Sequence, residues 1–196
     1  MINYFTNMLE TIKKSVLSID EAAFNSLVEE CIYTIEQGKK IVVSGLGKNV
    51  PVCDKFVGTM NSLGQPAVYM NTNNAVHGDI GMVNEGDLVI VLTKSGETME
   101  SIYLTSLLKK RNCSIWLLTF ASSSTLIDEI GKEKSIILDL EHEGDQWNIV
   151  PNNSTTINLI VLQGVAMEIV KRRGVTLADF KKNHPGGHIG EQLRNV

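Results

Sequence analysis

No surplus of positive charge exists in these 196 residues: 18 Lys and Arg stand against 22 Asp and Glu, a net charge of −4 with histidine neutral. Such a chain has nothing with which to neutralise a nucleic-acid backbone or to settle on an anionic membrane, so neither partner is expected. Long apolar runs are missing as well. The longest, such as Leu88-Val89-Ile90-Val91-Leu92, fall far below the roughly 20 residues of a membrane span. The opening residues, Met1 to Asn7, have no basic n-region and no unbroken apolar stretch, which predicts a soluble, cytoplasmic protein. Cysteines are few. Cys31, Cys53 and Cys113 are odd in number and lie 22 and 60 residues apart, fitting neither a disulfide framework nor a zinc knuckle; all three are expected as small core hydrophobes. Only four prolines interrupt a composition that is 43% hydrophobic and 20% charged, which excludes a disordered or low-complexity chain. At this length about 70% of the unfolded surface can be buried, enough for one core and one domain.

What is present is a change of period along the chain. Ser18-Ile19-Asp20-Glu21 matches a capping box and predicts a helix opening at Ser18. Phe24, Leu27, Val28, Cys31, Ile32 and Ile35 follow at helical spacing and stop at Gly38. A less regular amphipathic stretch, Phe5 to Val16, precedes it, so the helices of residues 3–38 are expected to pack on the domain or on another subunit. Beyond Gly38 come short apolar runs: Lys40 to Ser44, Ala67 to Tyr69, Leu88 to Leu92, Ser114 to Leu118 and Ser135 to Leu138. Runs that are continuously apolar belong to strands covered on both faces, and the intervening lengths suit crossover helices. The expectation is an α/β fold, a three-layer sandwich with a five-stranded parallel sheet flanked by helices. A long helix, about Ser154 to Arg173, closes it, and the tail from Thr176 adds a short helix and a glycine-rich turn.

Parallel sheets bind ligands outside the carboxyl ends of their strands, so chemistry is sought in the loops after each strand. Gly45-Leu46-Gly47-Lys48-Asn49-Val50 fails as a dinucleotide fingerprint, having Val50 where a third glycine belongs, and it is no P-loop. What remains is a tight turn carrying the Lys48 ammonium, either solvated or placed to meet an anion. Thr93-Lys94-Ser95-Gly96-Glu97-Thr98 lies between a strand and a helix, where three hydroxyls and a helix N-terminus suit a phosphate monoester. The alternative is a turn that merely caps the helix, and the direction of Lys94 stays open. His77, Glu100, Glu143 and His184 form a further polar set. Each has a plain alternative: a turn histidine, an acid complementing a helix dipole, a solvated acid, a chain reversal before Pro185-Gly186-Gly187. Metal binding by His77, His184 and His188 lacks a ligand spacing to support it.

Taken together, these segments resemble the sugar isomerase (SIS) domain, and within it the D-arabinose 5-phosphate isomerases. The resemblance rests on Gly45-Leu46-Gly47-Lys48, Val76-His77-Gly78-Asp79, Ser95-Gly96-Glu97-Thr98-Met99-Glu100, Pro151-Asn152-Asn153-Ser154-Thr155-Thr156 and His184-Pro185-Gly186-Gly187-His188. It implies an aldose–ketose isomerase acting on D-ribulose 5-phosphate and D-arabinose 5-phosphate through a cis-enediol, feeding 3-deoxy-D-manno-octulosonate synthesis, with no metal or redox cofactor. Another SIS isomerase, acting on a hexulose or heptulose phosphate, and a non-catalytic phosphosugar sensor are the alternatives. The catalytic set it implies is Lys48, His77, Glu100, Glu143 and His184, with Glu143 shuttling the proton, Lys48 stabilising the enediolate, and His184 or His77 assisting ring opening. Ser44, Gly45, Thr93, Lys94, Ser95 and Thr98 would hold the phosphate. Relatives commonly continue into paired CBS domains, whereas this sequence ends at Val196, so a single SIS domain without that pair is expected. Lys94 stands where a small or amide residue is usual, and Gly144-Asp145-Gln146-Trp147-Asn148 is more polar than in relatives. The family's habit predicts a homo-oligomer, dimer or tetramer, with the N-terminal helices and the His184 tail crossing between subunits.

Overall fold

Successive side chains of a strand point to opposite faces, and here both faces of each central strand are apolar. Ile41 and Val43 join one core cluster and Val42 the other; Leu88, Ile90 and Leu92 divide from Val89 and Val91 in the same way, as do Trp116 and Leu118 from Leu117. The reason for the unbroken apolar runs is therefore a sheet with helices on both sides. The structure, a computed structural model, describes residues 2–194. Its strands are β1 (Ile41–Gly45), β2 (Ala67–Asn71), β3 (Leu88–Leu92), β4 (Ser114–Thr119) and β5 (Ser135–Ile137), all parallel, in the order β2-β1-β3-β4-β5.

Helices α1 (Ile2–Leu17), α2 (Glu21–Glu36), α3 (Val50–Ser62) and α7 (Asn153–Arg172) cover one face, and α4 (Thr72–Ala75), α5 (Met99–Leu108) and α6 (Thr125–Ile130) the other. The expected three-layer sandwich is what forms. Among the described residues no helix is long and apolar enough to cross a membrane. The tail holds α8 (Leu177–Lys182), opened by a Thr176–Asp179 capping box, and α9 (Gly187–Gln192), so the expected glycine-rich turn winds into a second short helix.

Two local expectations need correcting. Helix α2 does not open at Ser18: Asp20 is its cap, accepting the N–H groups of Ala22 and Ala23, while the Ser18 hydroxyl donates back to the Ser15 carbonyl at 2.8 Å. Aspartate one residue before the first helical turn offers the same acceptor with a charge that favours the helix dipole. Cys31 and Cys53 are core residues, and burial pushes their thiols up, Cys53 to about 12, which leaves them unreactive. Cys113 is only half-buried, its thiol donating to the Leu108 carbonyl at 3.4 Å.

Candidate active site

The strand order reverses between β1 and β3, since the chain steps outward to β2 after β1 and returns on the other side of it. At such a switch point the loops leaving two adjacent strands part and leave a crevice. A cleft of about 240 Å³ lies there, lined by Lys48 and Asn49 after β1, Thr93, Lys94 and Thr98 after β3, and Ser154 and Asn158 of α7.

The β1 wall is a tight turn. A Cβ on Gly45 would stand 2.9 Å from the Asn49 Cβ, so the position needs glycine if the chain is to fold back into α3. Ser44, expected at the phosphate, is buried in β1 and its hydroxyl shares a 2.8 Å hydrogen bond with Thr72. Neither Ser44 nor Gly45 lines the cleft; they shape its floor. Lys48, by contrast, is exposed on the wall and has no ion-pair partner among the described residues.

The β3 wall brings an anion site into view. Thr98 caps α5 by position yet accepts no capping hydrogen bond, so its hydroxyl is available. Thr93 is buried and its Oγ1 accepts the Gly96 N–H at 3.2 Å, leaving its O–H free to donate. Ser95 faces away: it is exposed, accepts the Glu97 N–H at 3.2 Å, and is absent from the lining. The loop is tied to α6, with Leu126 N–H donating to the Gly96 carbonyl and Thr125 giving both its N–H and its hydroxyl to Glu97.

Gly96 makes that approach possible at φ +69°, and a Cβ there would meet Ser124 Oγ at 2.1 Å. Ser124 is itself the cap of α6. Gly96→Ala is therefore expected to cost about 2–4 kcal/mol, from the left-handed backbone and the displaced cap. At this chain length the loss lowers Tm by roughly 5–12 °C, read by thermal unfolding. A fall under about 2 °C would contradict the close approach.

Behind the third wall lies Glu143, 0% exposed in its side chain. Its Oε1 receives the Lys94 ammonium at 2.6 Å, and its Oε2 receives the N–H groups of Asn152 at 3.0 Å and Ser154 at 2.9 Å. The carboxylate thus caps α7 and pairs with a cation. Burial pushes the carboxyl up, but Lys94 and the Ser154 and Asn152 N–H groups outweigh it and the net direction is down. Glu143 is held ionised. The loop that follows is ordered by Asp145, whose carboxylate accepts the N–H groups of Trp147, Ile149 and Val150; Trp147 at its tip is 65% exposed, and Pro151 returns to the cleft.

Asn158 was not singled out from the sequence. It is 1% exposed, donates to Asn49 Oδ1 at 3.0 Å, and its own Oδ1 has no partner among the described residues. A buried acceptor without a donor at a cleft wall suits a sugar hydroxyl. Ser154 and Asn158 stand one helical turn apart among the buried residues of α7, where only Asn153 besides them is polar, and those polar residues in an otherwise apolar helix face were the available signal.

Three expected residues lie elsewhere. His77 and Glu100 are exposed at the same end of the sheet but outside the lining. His184 stacks on Phe180 at 3.9 Å, its Nδ1 2.8 Å from the Phe180 carbonyl oxygen, and the neighbouring Asn183 donates to the Ser62 carbonyl at the far end of α3. That tie places the tail beside the end of α3 that lies away from the cleft, about 20 Å along a 13-residue helix. Among the described residues no group of three or more His, Cys, Asp or Glu is placed to hold a metal ion.

Arabinose 5-phosphate isomerase KdsD of Yersinia pestis is 30% identical over 188 residues, 95% of this chain and 56% of that protein. KdsD of Pseudomonas aeruginosa is 31% identical over 169 residues, 86% and 51% respectively. The chain thus spans about half the length of the curated relatives it matches. An Escherichia coli CFT073 protein solved in complex with arabinose 5-phosphate superposes with a TM-score of 0.84 at 28% identity, covering 93% of this chain and 94% of that one. The SIS domain family matches residues 34–167. With a match that runs without a break from α2 into α7, the chain belongs to the SIS domain family.

Proposed function

We propose that the chain is an aldose–ketose isomerase interconverting D-ribulose 5-phosphate and D-arabinose 5-phosphate, and so feeds 3-deoxy-D-manno-octulosonate synthesis. One observation carries the reading: a cleft lined by an unpartnered cation, Lys48, is backed by a buried carboxylate held ionised, Glu143, which meets the cleft through the Lys94 ammonium and the Ser154 N–H. Isomerisation needs both. A base removes the C1 proton of the ketose, the electron pair forms the C1–C2 double bond of a cis-enediolate, the O1 proton passes to O2, and the carbon-bound proton returns to C2 as the C1 carbonyl of the aldose forms. Glu143 carries that proton, and Lys48 stabilises the charge that develops on the C2 oxygen. The Thr93 and Thr98 hydroxyls and the α5 N-terminus take the phosphate and fix the register of the sugar. The KdsD names of the relatives, and the arabinose 5-phosphate bound in the Escherichia coli structure, support the same substrate pair.

Ring opening is needed only from the arabinose side, because the C5 oxygen that would close ribulose 5-phosphate carries the phosphate. His184 is assigned this step in the cleft of a second copy, since its neighbour Asn183 is tied to the end of α3 that lies away from its own. Exposed Val76, Met99 and Tyr103 beside His77 and Glu100 support a homo-oligomer at that end. The experiment is NMR of ribulose 5-phosphate incubated with the protein in deuterated buffer. Arabinose 5-phosphate carrying deuterium at C2 is expected; a ribose product, or no exchange at C1, would sink the assignment.

A further inference from the structure

Lys94 is the one cleft residue whose charge is already engaged by the protein, and its setting is unusual. Its backbone is pinned, the carbonyl accepting both the Phe120 N–H and the Thr119 hydroxyl at 3.2 Å. Its side chain is not: it is 46% exposed, lines the cleft, and touches Glu143 only through the ammonium on Oε1. The other carboxylate oxygen stays anchored by two α7 N–H groups. Glu143 is itself enclosed and does not line the cleft, whereas Lys94 does, so the ammonium on Oε1 is the charged group that joins the carboxylate to the cleft.

We propose that Lys94 is an exchangeable counter-ion: the phosphate of an incoming sugar phosphate draws its ammonium off Glu143, so that substrate capture itself uncovers the carboxylate. The inference rests on the isomerase reading of the site. A dianionic phosphate beside the Thr93-Lys94-Ser95 turn offers the lysine more charge than one carboxylate, and a four-carbon stem lets it turn without moving the loop. Once Lys94 has left, burial pushes Glu143 up with only neutral donors opposing it, the Ser154 and Asn152 N–H groups and the Ser154 hydroxyl, which makes it a better proton acceptor. The other groups around Glu143 are Lys48 across the cleft, Tyr4 of α1, reached through Asn152, and His142 and Asp145 on its own loop. The last two are occupied, His142 Nδ1 by the Gly144 N–H and Asp145 by three N–H groups.

The direct test follows the Glu143 carboxyl carbon by NMR in glutamate-labelled protein, the resonance assigned with Glu143→Gln, with sulfate as a probe whose charge is constant across the titration. Saturating sulfate is expected to raise the Glu143 midpoint in the wild type; Lys94→Met is expected to raise it without sulfate and to show no further rise with it. A wild-type midpoint unmoved by bound sulfate, or no sulfate binding, overturns the exchange. Kinetics give a second, independent reading. Lys94→Met is expected to raise KM roughly 10–100-fold, the worth of one charged hydrogen bond to phosphate, with kcat largely kept. A fixed strut would give the reverse, a fallen kcat at constant KM, and that result overturns the proposal. Absence of turnover in the wild type would sink the isomerase reading alone, because the NMR arm needs no reaction.

Discussion

Glu143→Gln is expected to lower kcat by about 10²–10⁴-fold, the usual worth of a positioned proton-transfer group, while KM stays level or falls. Glutamine keeps the shape and one acceptor, so the carbonyl oxygen can still take the Asn152 and Ser154 N–H groups that open α7. What it cannot do is accept a proton from carbon. Its amide would face the Lys94 ammonium donor to donor, and the half-exposed lysine would turn into the cleft, toward the phosphate. A lower KM beside a collapsed kcat would thus show base and counter-ion to be separate functions. Steady-state kinetics with a thermal melt in parallel checks both, and near-normal turnover would remove Glu143 from the reaction.

Lys48→Met is the second large effect. The ammonium has no ion-pair partner among the described residues and stands exposed in a short turn, so its removal is expected to leave stability almost unchanged. Loss of a group aimed at developing negative charge costs about 10²–10³ in kcat. Methionine keeps the length of the stem and deletes only the charge. Measured kcat should fall by that factor with Tm constant; a loss below tenfold would leave the enediolate to other groups.

The strands were legible because burial on both faces writes itself as an unbroken apolar run: Leu88 to Leu92 is β3 to the residue. The loops were legible by position, which is how Lys48, Thr93 and Thr98 came to be expected where the cleft lies. Side-chain direction was not. Ser44 at the end of β1 and Ser95 in the turn after β3 sit at the right end of the sheet and point elsewhere, one toward Thr72 and one toward its own loop, and no spacing rule distinguishes these from ligands. The Lys94–Glu143 pair joins residues 49 apart across two loops, beyond the reach of any local pattern. Strand order was equally hidden, since apolar runs say that β1 is central without saying which neighbours it takes. The capping of α2 failed for a smaller reason: Ser18 and Asp20 are both good caps, and two residues of register decided between them.

The two tryptophans occupy opposite extremes of environment. Trp116 is buried on β4 with its indole N–H donating to Glu30 at 2.6 Å, whereas Trp147 stands in water on the loop that leads to Pro151 and the cleft. Their fluorescence therefore separates by wavelength, a blue band from the dry interior and a red band from the wet loop. The blue band moves only when the sheet comes apart. The red band belongs to the loop between Glu143 and Pro151, so one spectrum separates unfolding of the core from rearrangement of the chain beside the cleft, free of any attached dye.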